Sequence, residues 1–398
     1  MANNSRRGFL RQLSMGAGVL GASSAFAADK TIQGFDETKT TVDESAVWQP
    51  FSDRKIRVGI VGYGVCRFGA SFGFQNHPNV EIVAVSDLIP ENCAALAKAV
   101  NCAKTYPSLE ELVKDDNIEA VFVATDAPSH AQHCMAVMNS GKHVGCAVPC
   151  TFGSLEEADQ LFETVKRTGM NYMLFETSAF RGDCYGMRKI YEAGDFGRMV
   201  YTEGEYYHYM DTPIDSYKGW RIGMPPQLYP THSNAYLNCV TGESFTEVSC
   251  MGIPSVVEHL KPENNIYKNP FGTEVALFRT SGGGMSRMVV SWDTPGYHGE
   301  VGRVRGDKGA MQGTTFQGLK EISPESLAKP ALPPGMPAGG HGGSHGYLTE
   351  EFIHSILQER KPLVDIAWGL NMTVAGIVAH ESAMKDGETL KIPQYSFA

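Results

Sequence analysis

The chain has 398 residues, 42% of them hydrophobic and 20% charged, and a formal net charge of −10 at pH 7. That length suits about two domains, and an acidic balance without a basic stripe argues against a nucleic-acid partner. No apolar run reaches the roughly 18 residues of a membrane span, so no membrane partner is expected.

In chain order, Ser5-Arg6-Arg7-Gly8-Phe9-Leu10 carries a twin-arginine pair, followed by a mild apolar run over 13–22 and the small-residue site Ala25-Phe26-Ala27. Charged, apolar and cleavage parts in that order predict a twin-arginine signal peptide over 1–27 and a periplasmic mature protein. Residues 28–54 are polar and turn-rich, an expected N-terminal arm. The nine cysteines are scattered without C-x-x-C spacing, and Cys134 and Cys250 lie in apolar runs. Buried thiols are expected rather than a disulfide framework.

Lys55-Ile56-Arg57-Val58-Gly59-Ile60-Val61 is a β-branched run of buried-strand type. Gly62-Tyr63-Gly64 breaks it, a helix-length segment follows to about Asn76, and a second apolar run over 80–86 ends at Asp87. A dinucleotide needs strand, glycine turn, helix, strand and acid in this order. The glycines let the backbone approach the pyrophosphate, the helix N-terminus faces its charge, and the acid takes the ribose hydroxyls. Gly62, Tyr63, Gly64, Val65, Cys66, Arg67 and Asp87 are the expected contacts. The third position of G-x-G-x-x-G is Arg67, so helix–strand packing there needs another arrangement, or the guanidinium itself reaches a phosphate. An acid at Asp87 favours NAD over NADP. The plainer alternative is a βαβ unit with an ordinary tight turn.

Helical character returns over 91–100, and 108–114 opens as a capped helix with Glu110 and Glu111 in its first turn. A buried strand over 120–125, a helix from Pro128-Ser129-His130 to Asn139, Gly141 as its stop and a strand over 144–147 complete a nucleotide domain over 55–172. The remainder, 173–398, has β-rich runs at 199–209, 246–251, 273–279, 285–292 and 301–311. Gly, Pro and Asn turns separate them, as in an antiparallel sheet. A glycine-rich loop over 331–346 precedes helices over 347–358 and about 366–385. No internal repeat is present.

Val123-Ala124-Thr125, His130 and Gly141-Lys142-His143-Val144, with the glycine turn, resemble the Gfo/Idh/MocA oxidoreductases. The resemblance implies an α/β architecture: an N-terminal doubly wound Rossmann domain, then a C-terminal α/β domain with a large open, mainly antiparallel sheet. That sheet lines a sugar site and often forms the oligomer face, so a homo-oligomer acting on a sugar or glycoside with NAD is implied. Thr125 and His130 would border the nucleotide, as would Val148 and Pro149.

Dehydrogenases of that family carry Glu-Lys-Pro after the fifth strand, and the lysine moves the proton when hydride leaves a sugar carbinol. Here the positions read Ala147-Val148-Pro149, and valine can neither donate nor accept a proton. NAD-retaining glycoside hydrolases of family 109 carry Glu-Val-Pro there. Four further segments are similar to theirs: Tyr229-Pro230-Thr231-His232, Glu203-Gly204-Glu205-Tyr206-Tyr207-His208, Asp293-Thr294 with Tyr297, and Gly339-Gly340-His341-Gly342-Gly343. Departures are Ala147 for their glutamate, Phe180 for an expected tyrosine, and Ser344-His345 for Met-Asp.

The resemblance implies transient hydride abstraction at sugar C3, which acidifies the C2 proton and permits elimination at C1. His232 would be the base at C3, with Tyr206, His208 and Tyr297 as further catalytic groups. Tyr229, Trp220, Arg221 and His341 would contact substrate. On a strand, Tyr206 and His208 share one face. His341 and His345 are four apart in a glycine-rich loop without a third ligand nearby, so no metal is expected. Two rival readings are a sugar or ketoglycoside dehydrogenase that exchanges its hydride, and a non-catalytic sugar- or nucleotide-binding protein.

Overall fold

A computed structural model describes residues 47–323 and 327–397. The expected signal peptide, and the expected arm as far as residue 46, lie outside the described residues. Residues 47–54 carry no regular element, and Trp48 Nε1 donates to Glu350 Oε1 at 2.7 Å.

Among the described residues two sheets form. The first comprises β1 (Ile56–Val61), β2 (Val80–Ser86), β3 (Thr105–Tyr106), β4 (Ala120–Val123), β5 (His143–Cys146) and β6 (Tyr172–Leu174). All are parallel, in the order β3-β2-β1-β4-β5-β6. The strand order reverses between β1 and β4, which opens a crevice beyond their carboxyl ends, the usual ligand site of a doubly wound sheet. Both strands are buried between helices, so their sequences run apolar without alternation. The helix Leu155–Thr168 shows why these segments fold locally. Ser154 accepts Glu157 N at its start, Gly169 closes it at φ 68°, and Ala158, Leu161, Phe162 and Val165 form its buried stripe.

The single helix expected after the glycine turn is instead one turn, Phe68–Ser71, and a 3-10 turn, Phe74–Asn76, broken at Gly73 with φ 78°. Packing explains the break. Phe72 and Phe74, only two apart, both enter the core, against Phe175 at 5.2 Å and Phe122 at 5.1 Å between ring centroids. A continuous helix would point them nearly opposite ways.

The second sheet comprises β7 (Met199–Tyr207), β8 (Phe245–Pro254), β9 (Phe271–Thr280), β10 (Met285–Ser291), β11 (Gly299–Gly306), β12 (Gly309–Gln312), β13 (Thr315–Gly318) and β14 (Leu390–Lys391). Its order is β13-β12-β11-β7-β10-β9-β8-β14, antiparallel except for the β7–β10 pair. The run expected as one strand over 301–311 is a hairpin. Asp307 takes Arg198 N on its carboxylate and gives its own N–H to Arg198 O, which ends pairing with β7 and turns the chain.

One face of this sheet carries the helices Thr231–Thr241 and Ile366–Ala383. The first lies almost on the strands: a Cβ at Gly204 would stand 2.0 Å from Ser233 O, and one at Gly302 1.8 Å from the Tyr236 ring. The second is apolar on all sides and wedges between the sheet, the helix Leu155–Thr168 and β6. The other face presents Met251, Ile253, Leu277 and Val301, each about half exposed, beside Arg287 paired with Glu203 and Glu205. All nine cysteines are free thiols, eight of them buried. Among the described residues no helix is long and apolar enough to cross a membrane.

Candidate active site

The nucleotide side is built where β1 ends. Gly62 adopts φ 101°, and a Cβ there would fall 2.3 Å from Ala124 O, so only glycine lets the turn pass β4. At Gly64 a Cβ would meet nothing within 4 Å, which leaves an open cradle over exposed backbone at Gly64 and Val65. Asp87, at the end of β2, accepts Tyr63 N on Oδ2 at 2.6 Å and Ile89 N on Oδ1 at 2.8 Å. Its carboxylate is thereby held beside the turn, with acceptor capacity left for ribose hydroxyls. An open glycine cradle with a fixed acid beside it fits a dinucleotide.

The missing third glycine has a physical answer. Gly69, two positions past Arg67, packs so tightly that a Cβ there would lie 2.6 Å from Gly62 O. Arg67 sits before the one-turn helix in a left-handed conformation (φ 49°, ψ 30°) and is exposed. His130 corrects an expectation. It is buried, and its ring reaches two carbonyls, Nδ1 to Pro149 O at 2.8 Å and Nε2 to Thr125 O at 3.2 Å. It braces the loops after β4 and β5 rather than bordering a nucleotide. Two carbonyl partners favour the doubly protonated ring: burial opposes that charge, but Cys146 and the carbonyls raise His130 to about 9. Thr125 spends its hydroxyl on His133 Nδ1 at 2.9 Å.

The substrate side faces that crevice across Ala147 and Val148. A narrow cleft is lined by these two with Phe68, Phe72, Phe175, Thr177, Tyr206, Tyr229, His232 and His341. His232 enters from the first turn of the helix Thr231–Thr241, Tyr206 from β7, and Glu176 and Thr177 from the chain just past β6. His232 Nδ1 meets Glu176 Oε1 at 2.8 Å and lies 3.8 Å from Glu300 Oε1. A carboxylate on Nδ1 sets the Nδ1–H tautomer and turns Nε2 into the acceptor. Ser178 N donates to the same Glu176 oxygen at 2.8 Å, while Oε2 is buried without a partner among the described residues. Glu300 Oε2 accepts Ser178 Oγ at 2.6 Å and lies 3.7 Å from Arg181 Nε.

These contacts separate the titrating groups. Burial works against the His232 imidazolium, yet Glu176 and then Glu300 reverse it, and the net shift is upward. Burial also works against the Glu300 carboxylate, but His232, Arg181 and His341 bring it down to about 2. Burial lifts Tyr206 well above the usual phenol value and Tyr229 to about 12, so both stay neutral hydrogen-bond donors at neutral pH. His341 moves the other way, well down, through burial and its neighbour His345. The arrangement holds one imidazole ready to carry charge and keeps another neutral.

Of the sequence-derived residues, the structure brings together His232, Tyr206, Tyr229, His341 and Val148. Trp220 and Arg221 flank them: the guanidinium lies 4.2 Å over the Trp220 ring and 5.6 Å over Tyr229, and Nη2 reaches Cys66 Sγ at 3.6 Å. Tyr297 is not part of the group. It is fully exposed on the loop between β10 and β11, which turns outward at Gly296 (φ 128°) while Thr273 Oγ1 holds Asp293 at 2.7 Å. His208 shares the inward face with Tyr206, as the strand period requires, but it lies past the cleft beside Trp292, with ring centroids 6.4 Å apart.

Glu176, Glu300, Arg181 and His345 were missed. Glu300 left a signal, an acid at an inward position of an alternating run, directly across from Tyr206 in the β7–β11 register. Among the described residues Glu176, His232 and Glu300 form a group whose ligand atoms lie within 4.8 Å of one another. A cation there would displace the His232 proton and the Glu176 bond just described.

Residues 56–175 match a family described as an oxidoreductase family with an NAD-binding Rossmann fold. A glycosyl hydrolase family 109 protein of Streptomyces niveus is 27% identical over 296 residues, covering 66% of this chain and 59% of that protein. One of Saccharopolyspora erythraea is 24% identical over 345 residues, with 77% and 73% covered. One of Bacteroides thetaiotaomicron is 30% identical over 193 residues, with 44% and 41% covered. The matches thus span from under half to about three quarters of these relatives. Levoglucosan dehydrogenase in complex with NADH and levoglucosan superposes with a TM-score of 0.69 at 19% identity, covering 86% of this chain and all of that one. Apo scyllo-inositol dehydrogenase from Lactobacillus casei gives 0.66 at 16% identity, with 86% and 99% covered. At such identities the likeness shows the fold.

Proposed function

We propose that this chain, whose residues 56–175 match an oxidoreductase family with an NAD-binding Rossmann fold, holds NAD at its first sheet and cleaves glycosides by transient oxidation at sugar C3 with NAD retained. The observation that carries the reading is the Glu176–His232 pair facing Val148. His232 lines the same cleft as Val148, which supports it as the proton-handling group where the lysine of ordinary dehydrogenases is lost.

NAD, held at the Gly62–Gly64 turn and by Asp87, would supply the hydride acceptor for C3. His232 Nε2 takes the C3 hydroxyl proton, while Glu176 holds Nδ1–H and steadies the imidazolium that forms. Glu300, fixed by Ser178 and faced by Arg181, adds a second negative charge near that imidazolium. Tyr206 and Tyr229 donate to sugar oxygens as neutral phenols. Trp220, buried beneath the Arg221 guanidinium, backs Tyr229 from behind the cleft.

The uncovered face of the second sheet supports a homo-oligomer: Met251 and Ile253 on β8 and Leu277 on the adjacent β9 are exposed there, apolar surface of the kind that association covers. The twin-arginine segment supports a periplasmic location, with the nucleotide loaded before export.

Proton NMR in D₂O with aryl glycosides and no added cofactor tests the function. Deuterium at C2 together with free sugar is the expected result. Product formed only when NAD or a keto-sugar is supplied would replace this reading with that of an exchanging dehydrogenase. Silence under every condition would favour a binding protein.

A further inference from the structure

The loop that carries His341 is bound more closely than substrate contact requires. His341 has φ 50° between glycines. A Cβ at Gly339 would stand 2.8 Å from His345 Cβ, and one at Gly342 would stand 3.0 Å from Arg181 Nη1. Lys329 Nζ closes the far side by donating to Gly343 O at 2.8 Å and Phe180 O at 2.9 Å. Loop, His345 and Arg181 thus form one packed unit.

Inside that unit a chain of hydrogen bonds sets a tautomer. Ser71 O can only accept, so His345 Nδ1, 3.0 Å away, carries its proton. Burial holds His345 neutral, at about 4, which leaves Nε2 as an acceptor. His341 Nδ1, 2.8 Å from that Nε2, is therefore the donor. His341 is itself kept neutral, first by burial and then by His345, so its own Nε2, on the opposite ring edge, is an acceptor. What meets it there must be a donor or an acidic C–H. The ring lines the cleft, nearly parallel to His232 with centroids 6.2 Å apart. Two imidazoles with opposite charge preference over one cleft are what a two-proton cycle needs.

We propose that His341 is the base that removes the C2 proton of the oxidised sugar, and that His345, with the Ser71 carbonyl behind it, is the positioning residue that makes it one. The proposal rests on the redox-assisted reading above. Phe180, where a tyrosine was expected, offers no acid or base, so the cleft needs another group for this step.

In the 3-keto glycoside, His341 Nε2 takes the C2 proton and the C–H electron pair becomes the C1=C2 bond. The C1–O bond breaks in step with this. The aglycone oxygen leaves with that bond's electrons and is protonated from solvent. Water then adds across the double bond, hydroxyl at C1 and proton at C2. The oxidation and the final reduction at C3 would both draw on bound NAD as hydride acceptor and donor, so the cycle would need no outside oxidant. Glu300 stabilises the imidazolium formed on His341.

The test uses the holoenzyme, His345→Phe and His345→Gln. Phenylalanine keeps the ring packing on Phe72, now 4.2 Å between centroids, and loses both hydrogen bonds. Glutamine can still accept His341 Nδ1–H through its carbonyl. In the wild type, ¹⁵N-histidine NMR should show His341 and His345 neutral and protonated on Nδ1. His345→Phe should slow C2 deuterium uptake about 100-fold while the bound nicotinamide is still reduced by glycoside at the wild-type rate. His345→Gln should recover part of the exchange. The proposal is overturned if His345→Phe exchanges C2 like the wild type, or if cofactor reduction falls equally, which marks a structural role only. Absence of cofactor reduction by any glycoside in the wild type would fail the underlying reading instead. The NMR arm still decides then, because His341 protonated on Nε2 overturns the inference by itself.

Discussion

Glu176→Gln removes one charge and almost no volume at the centre of the site. The glutamine carbonyl can keep the Ser178 N–H, which Glu176 Oε1 accepts at 2.8 Å, so the turn after β6 should hold its shape. What changes is the partner of His232 Nδ1. A hydrogen bond to a charged group contributes roughly 1.5–3 kcal/mol, and the amide retains only the neutral part. Its N–H₂ would take the place of Oε2, which has no partner among the described residues, while its carbonyl keeps the Oε1 position that faces both Ser178 N and His232 Nδ1. Loss of the charge should slow proton removal about 10- to 100-fold. Stopped-flow absorbance of the bound nicotinamide on mixing with an aryl glycoside reads this step directly. Because Glu176 is the chief group raising His232, the acid limb of the rate profile should also move to lower pH in the variant. An unchanged rate of cofactor reduction would refute the pair as the proton-handling group.

Four further outcomes follow from the same geometry. Glu300 has its folded-state value lowered to about 2, against roughly 4.3 unfolded, so its ionisation contributes about 3 kcal/mol above the unfolded value and loses it as pH falls through the folded one. Urea melts should therefore show wild type and Glu300→Gln far apart at neutral pH and converging toward pH ~2; a constant gap would contradict this. Gly69→Ala drives a methyl to 2.6 Å from Gly62 O and should cost about 1–3 kcal/mol of stability as well as bound NAD. Gly64→Ala meets no protein atom within 4 Å and should lower NAD content of the purified protein with the melting temperature of the NAD-stripped protein unchanged. Tyr297→Phe, fully exposed, should leave kcat/KM within about twofold, since exposed substitutions away from a site change little.

The nucleotide half was legible because its signals are local. An apolar run, a glycine turn and an acid at Asp87 lie within one unit, and each has a steric or hydrogen-bonding reason to be there. The third glycine was not legible, because the contact with Gly62 O is made at Gly69, outside the motif spacing. The break after Phe72 was hidden for a similar reason: two core-bound phenylalanines two apart overrode a helix-length apolar stretch. At the site, His232 and Tyr206 were found through segments of recognisable chemistry. Glu176 and Glu300 are 124 positions apart, and they meet at His232 only because β11 pairs with β7 beside the chain leaving β6. Tyr297 shows the converse, a residue in a familiar segment that the loop carries out to solvent.

The central claim, that a hydride leaves C3 and returns to it without NAD being exchanged, is tested most directly with an aryl glycoside deuterated at C3, in ordinary water and with no cofactor added. The account requires the released sugar to keep its deuterium at C3, while C2 of substrate deuterated there loses its label to solvent. Deuterium lost from C3, or sugar released with the C2 label intact, would contradict it.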